Sequence, residues 1–215
     1  MCAVIGASLV SPSNQDLDLV RDVFLESRIR GLHATGVSYV KQGKVATLIK
    51  PVPAPDFFSL VDMEQFVNED GNLYLIGHCR YSTSDLRFNQ PIQTNPDLAI
   101  VHNGVVTQEL PHNWEYLYGY QTETANDSEL INRTLEAGLD PQDIWADSSL
   151  SVIELRSDKS MKAYRNGKRP LYRTQMHNGT IFTSTKDIAI RAGLPDNQEL
   201  MDNGGINADL QPSYS

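Results

Sequence analysis

Strand-like segments in this chain come in runs, and the helical segments are grouped between the runs instead of following each strand. Strict βαβ alternation would call for a doubly wound parallel sheet. This order calls instead for an α+β fold of mainly antiparallel sheets covered by helices. Residues 2–10 are short and apolar, a buried strand. Ser13 or Asn14 then caps a helix with Asp16 and Asp18 at its positive end and an apolar face of Leu17, Val20, Phe24 and Leu25. Arg28 and Arg30 lie near its negative end, and Gly31 stops it. Residues 36–48 form a hairpin turned at Gln42-Gly43, and after Pro51, Pro53 and Pro55 residues 57–68 form a helix.

Residues 73–81 alternate as a strand, with Leu73, Leu75 and Cys79 on one face and Tyr74, Ile76, His78 and Arg80 on the other. Residues 98–106 form a second strong strand. Asp127 opens a helix ending near Gly138, and Asp140-Pro141 starts a shorter one. The remainder reads as hairpins over 150–155, 162–164, 171–175 and 180–183, with Asn166-Gly167 and Asn178-Gly179 as turn dipeptides, and a closing helix over 185–192. Residues from Pro195 onward are polar and glycine-rich, a loose tail. The expected organisation is therefore one domain over residues 1–195 and a polar tail over 196–215.

The formal net charge of −9 argues against direct nucleic-acid binding, which wants the opposite sign. No apolar run is long enough for a membrane span, and the N-terminus lacks the basic start of a signal peptide, so a cytoplasmic protein is expected. The two cysteines make no disulfide framework, and the five histidines show no zinc-binding spacing. No phosphate-loop motif is present, and neither a metal nor an organic cofactor is expected.

Cys2 is either a small apolar residue packed in the first strand or a nucleophile. A small side chain at position two permits removal of Met1. The cysteine would then carry a thiol and a free α-amine of pKa about 7.7–8.0, a nucleophile with its own base. Arg80, ending the strand in Gly77-His78-Cys79-Arg80-Tyr81-Ser82-Thr83, suits a bidentate grip on a carboxylate or a surface salt bridge. Asn103 and the Gly104 N–H suit an oxyanion hole or an ordinary turn. Asp127 suits an ammonium group or a plain helix cap.

Taken in order, these blocks resemble the class II glutamine amidotransferases, a family of N-terminal-nucleophile hydrolases. The matching blocks are MCAVIG at the start, Arg30-Gly31 with Thr35-Gly36, GHCRYST at 77–83, Asn89-Gln90-Pro91, IVHNGVV at 100–106, NDSELI at 126–131, Gly167 to Tyr172, and Phe182-Thr183-Ser184. They span roughly residues 2–194. No single block is specific; the ordered set with cysteine at position two is. The resemblance implies a four-layer αββα sandwich of two mainly antiparallel sheets flanked by helices. It implies Cys2 as nucleophile, Asn103 and Gly104 as the oxyanion hole, Arg80 and Asp127 on the α-carboxylate and α-ammonium of L-glutamine, Arg30 as a support near the nucleophile, and Thr83 as a pocket hydroxyl. Leu32-His33-Ala34 depart from the family's usual proline and acidic residue, Cys79 stands where threonine is frequent, and Tyr81 stands where tryptophan is common. These touch the pocket wall and leave the nucleophile and the gripping charges intact.

The implied activity is hydrolysis of the glutamine side-chain amide through a Cys2 thioester. The chain ends about twenty residues after the last matching block, so the ammonia is expected to pass to a separate synthetase or transferase. The alternatives are hydrolysis of another γ-glutamyl amide, which would release a different amine, and a non-catalytic regulatory module of the same fold.

Overall fold

In the computed structural model, which describes residues 1–81 and 89–208, the apolar N-terminal segment forms β1 (Ala3–Leu9), buried along its whole length. Helix α1 (Asn14–Ser27) begins with a reciprocal cap: the Ser13 hydroxyl accepts from the Asp16 N–H at 3.2 Å, and the Asp16 carboxylate accepts from the Ser13 N–H at 2.8 Å. Its buried face is Leu17, Val20, Val23 and Phe24, with Leu25 partly buried at its edge. A 3-10 turn over Arg28–Arg30 follows, and the chain leaves it at Gly31.

The hairpin pairs β2 (Ala34–Lys41) with β3 (Lys44–Lys50). Gln42 and Gly43 both take positive φ, 52° and 69°, as the tight two-residue turn requires. The single helix expected over 57–68 is two pieces, α2 (Ala54–Leu60) and a 3-10 turn over Met63–Phe66. The β-branched Val61 between them is extended, and the break lets Phe57, Met63 and Phe66 all enter the same core.

Strand β4 (Leu73–Arg80) is buried on both faces. Leu73, Leu75 and Cys79 join one core cluster while Tyr74 and Ile76 join another, as the sequence alternation requires. Gly77 sits under the Phe24 ring, where a Cβ would lie 2.1 Å from a ring carbon.

The chain continues through β5 (Ile92–Asn95), β6 (Leu98–His102), α3 (Trp114–Tyr118), α4 (Ser128–Glu136) and α5 (Pro141–Ile144). It then adds β7 (Ser151–Arg156), β8 (Met161–Arg165), β9 (Tyr172–Met176), β10 (Gly179–Thr183) and α6 (Lys186–Arg191). Strand β6 stops at His102, short of the expected end at Val106, because the chain turns away at Asn103-Gly104. Asn166-Gly167 carries the crossover from β8 in one sheet to β9 in the other, so it is not a hairpin turn. The segment after Pro195 is not a loose tail as far as it is described. It adds two edge strands, β11 (Asn197–Glu199) beside β9 and β12 (Gly205–Asn207) beside β8, and buries Leu200 between them.

Two antiparallel sheets result, in the orders β11-β9-β10-β1-β4-β2-β3 and β12-β8-β7-β6-β5. Val4, Ile76 and Phe182 of the first sheet pack on Ala99, Val101, Ile153 and Ala163 of the second. The outer face of the first sheet is covered by α1, α2 and α6 through Phe24, Phe57 and Ile188. The outer face of the second is covered by α3, α4 and the turn after α5 through Trp114, Leu130, Ile131 and Trp145. The layers therefore run helix, sheet, sheet, helix, with the main apolar burial in three sheets of side chains between them. No described helix is long and apolar enough to cross a membrane.

Candidate active site

Strand register brings the first functional residues together. Ala3 of β1 pairs with Cys79 of β4, so Cys2 leaves the ladder beside Arg80. The Cys2 thiol is half-buried and donates to the Tyr81 carbonyl at 3.7 Å. Its own carbonyl accepts from Arg30 Nε at 2.9 Å. The other cysteine is a useful contrast. Cys79 is fully buried, its sulfur lies 3.8 Å from the Phe24 carbonyl, and burial pushes its thiol up to about 12. It is a packed, unreactive thiol, whereas Cys2 faces a cleft.

That cleft has a volume of about 570 Å³, a fit for a small polar ligand, and Cys2, Arg80, Asn103, Gly104 and Asp127 all line it. Five of the seven residues singled out in the sequence therefore converge. Arg30 stands behind Cys2 rather than in the wall. Thr83 lies outside the described residues. Met1 also lines the cleft and is largely exposed.

Arg80 ends β4 with Nη1 donating to Asn89 Oδ1 at 2.6 Å. Asn103 follows the end of β6. Its backbone N–H is held by the Ser151 carbonyl at 2.9 Å, while its side-chain Nδ2 is buried with no hydrogen-bond partner among the described residues. An unpaired buried amide costs about 1–3 kcal/mol, and this one stands at a cleft wall. Gly104 takes φ of +154°, and a Cβ there would sit 1.9 Å from the Ser149 carbonyl oxygen. Only glycine fits.

Asp127 occupies the cap position of α4 without capping it. Its helical φ and ψ turn the carboxylate away from the first-turn amides. Asn126 Oδ1 accepts from the Ser128 N–H in its place, and Asp127 Oδ2 accepts from the Val106 and Thr107 N–H groups at 2.6 and 3.2 Å. The carboxylate is thus anchored beside the Asn103-Gly104 turn.

Other residues of the cleft wall, among them His78, Gln90, His102, Ser128 and Arg169, have no role read from the sequence. The strand alternation did place His78 on the face of Arg80. Burial, and then the nearby Arg80, lower His78 to about 3, so it is neutral. The His102 backbone lies close enough to favour its charge slightly, yet neither ring nitrogen makes a hydrogen bond of good geometry. His102 is also lowered by burial, against the opposing pull of Asp127. Arg30 is lowered by burial and by Arg169, with Cys2 acting the other way. Among the described residues no group of three or more His, Cys, Asp or Glu side chains is placed to share a metal ion.

No family model matches the chain, and no curated protein matches it by sequence. Solved structures do. The allosteric regulatory enzyme of purine biosynthesis aligns with a TM-score of 0.74 at 18% identity, over 97% of this chain and 47% of that one. Glutamine phosphoribosylpyrophosphate amidotransferase from B. subtilis aligns with a TM-score of 0.67 at 16% identity, over 96% and 48%. A glutamine aminotransferase class-II domain protein from Silicibacter pomeroyi aligns with a TM-score of 0.52 at 12% identity, over 99% and 100%. The chain spans about half the length of the first two. At these identities the fold is what is shared, and the four-layer αββα arrangement is the N-terminal-nucleophile hydrolase sandwich that the order of motifs implied.

Proposed function

We propose that this protein is a class II glutamine amidotransferase that hydrolyses the side-chain amide of L-glutamine with Cys2 as nucleophile and supplies the ammonia to a separate acceptor synthetase or transferase. The observation that carries this reading is the convergence of Cys2, Arg80, Asn103, Gly104 and Asp127 on one cleft, with the Asn103 amide buried and unpaired. The names of two of the structurally similar proteins, a glutamine phosphoribosylpyrophosphate amidotransferase and a glutamine aminotransferase class-II domain protein, agree with it. The free thiol the mechanism needs suits a reducing compartment such as the cytoplasm.

Removal of Met1 frees the α-amine of Cys2. That amine takes the thiol proton, directly or through a water, and the sulfur attacks the side-chain amide carbon of bound glutamine. Asn103 Nδ2 and the Gly104 N–H hold the oxygen that becomes negative. The carbon–nitrogen bond breaks, the ammonium of Cys2 returns its proton to the leaving nitrogen, and ammonia departs. Water then cleaves the γ-glutamyl thioester to glutamate and restores the thiol. Arg80 and Asp127 bind the α-carboxylate and α-ammonium, atoms that do not react, and so select a free amino acid and aim its amide at the sulfur. Arg30 steadies the Cys2 carbonyl, and Thr83 supplies a pocket hydroxyl.

The test is incubation of the full chain with L-glutamine beside Cys2→Ala and Cys2→Ser. Wild-type protein should release ammonia and glutamate in equal amounts, lack Met1 by intact mass, and be labelled at Cys2 by a glutamine-like electrophile. A chain in which Met1 is blocked from removal should be inactive. Equal rates for wild type and Cys2→Ala would end the proposal, and release of a different amine from another γ-glutamyl compound, with glutamine untouched, would redirect it.

A further inference from the structure

Within the cleft wall lies a set of buried polar contacts that the reaction above does not use. His102 is 2% exposed. Its Nε2 is 2.9 Å from the Ser149 carbonyl and its Nδ1 is 2.9 Å from the Ser128 hydroxyl. A carbonyl only accepts, so Nε2 carries the hydrogen. The ring is neutral, Nδ1 is the acceptor, and Ser128 donates to it. The Ser128 oxygen in turn accepts from Gln90 Nε2 at 3.1 Å.

Gln90 completes the set. Strand register places Ile92 opposite Ile100, so residue 90 stands opposite residue 102 just beyond the end of β5. There the Gln90 side chain takes over from the ladder: Oε1 accepts from the His102 N–H at 2.7 Å and Nε2 donates to the His102 carbonyl at 3.0 Å. Both peptide groups of His102 and both its ring nitrogens are thus engaged by buried partners.

The position of this set gives it a consequence. Asn103 and Gly104 directly follow His102, and Asp127 directly precedes Ser128. The Ser149 carbonyl that receives the His102 ring is the same atom that leaves no room for a Cβ on Gly104. On the far side, Asp127 Oδ2 reaches back to the Val106 and Thr107 amides. The Asn103–Val105 turn is therefore tied to the start of α4 at both of its ends, through His102–Ser128 on one side and Asp127 on the other.

We infer that His102 is a positioning residue that, through Ser128 and Ser149, fixes the distance between the Asn103-Gly104 oxyanion donors and Asp127. The catalytic part of this inference rests on the proposed glutaminase reading; the mechanical part, that the two segments move as one body, does not. Neither Ser128 nor Gln90 touches the reacting atoms in this account. They act through His102.

Two measurements on the full chain test it. The first is hydrogen exchange of wild type and Ser128→Ala. Removing one hydroxyl should speed amide exchange by about tenfold or more in both 103–107 and 127–131, with α1 and β1 unchanged. The second is steady-state kinetics of Ser128→Ala, His102→Gln, His102→Ala and the Ser128→Ala/His102→Ala pair. His102→Ala should lower kcat by about 10²-fold, the scale of losing one oxyanion donor, with the melting transition still cooperative. His102→Gln, which keeps a donor near the Ser149 carbonyl, should recover part of that loss. Ser128→Ala should mainly raise KM, and the double variant should be no worse than His102→Ala. Exchange that rises in only one segment, or in neither, overturns the mechanical claim whatever the enzyme does with glutamine. Kinetic losses that multiply in the double variant, or a His102→Ala kcat equal to that of wild type, overturn the catalytic claim. Absence of wild-type glutaminase activity removes the functional reading and with it the catalytic claim, and the exchange result still decides whether the bracing exists.

Discussion

Arg30 Nε donates to the Cys2 carbonyl at 2.9 Å, joining the turn after the first helix to the residue that carries the sulfur. The contact is to backbone, so it constrains where the whole of Cys2 sits and leaves the thiol free to face the cleft. Replacing Arg30 by Met should lower kcat/KM for glutamine by about 10- to 100-fold through misplacement of the nucleophile. Melting should change little, since Arg30 is only partly buried at the edge of the core. Unchanged activity in Arg30→Met would remove the residue from the site.

Asn103 offers a prediction in which function and stability part company. Its Nδ2 has no partner to lose. Asn103→Ala should therefore reduce kcat by about 10²–10³-fold while the denaturation midpoint stays near that of wild type. A variant that loses stability and activity together would mark Asn103 as a structural residue.

Gly104→Ala should behave in the opposite way. The added carbon would meet the Ser149 oxygen at 1.9 Å and His102 Nε2 at 2.7 Å, in a backbone conformation that side chains rarely adopt. Backbone strain alone costs about 1–3 kcal/mol, and the clash adds to it. Urea denaturation checks this, and a Gly104→Ala chain as stable as wild type would mean that the turn is looser than the structure has it.

Acid should weaken the fold through the buried imidazoles. His78 is held near 3 and His102 is also lowered, against about 6.5 when unfolded. The unfolded chain binds more protons across this interval, so stability is fully present above about 6.5 and falls as pH drops toward the folded value. His78→Leu removes one such group. Its stability should fall less steeply than that of wild type between pH 6.5 and 4, and identical slopes in the two proteins would show that the neutral imidazole has no part in the acid limb.

Much of this architecture was legible in the residue pattern. The two-faced alternation of residues 73–81 specified a strand between two apolar layers, and the Ser13–Asp16 cap and the Gln42-Gly43 turn are local chemistry that stands as read. The break at Val61 was not legible, because a run of helix-compatible residues hides a reorientation that only the shared core of Phe57 and Phe66 requires. The edge strands after Pro195 escaped notice because short polar strands owe their order to the ladders they join. At the site, five of the residues singled out for their chemistry line one cleft, while Gln90 and Ser128 had been given no role. A buried glutamine that substitutes for a missing strand neighbour leaves no trace in local spacing. Asp127 stood in a capping position and does something else, which only its backbone angles reveal.

Cys2 and Arg80 flank one hydrogen-bonded ladder, whereas Asn103 extends from the opposite sheet and Asp127 from the helical layer beyond it. The first pair is locked at interstrand spacing; the two sheets that carry the cleft are held apart by Val4, Ile76, Val101 and Ile153. Those side chains are a shim. Their combined bulk sets the separation of the two sheets, so trimming or enlarging one of them, remote from the cleft wall, retunes the width of the mouth before it unfolds anything.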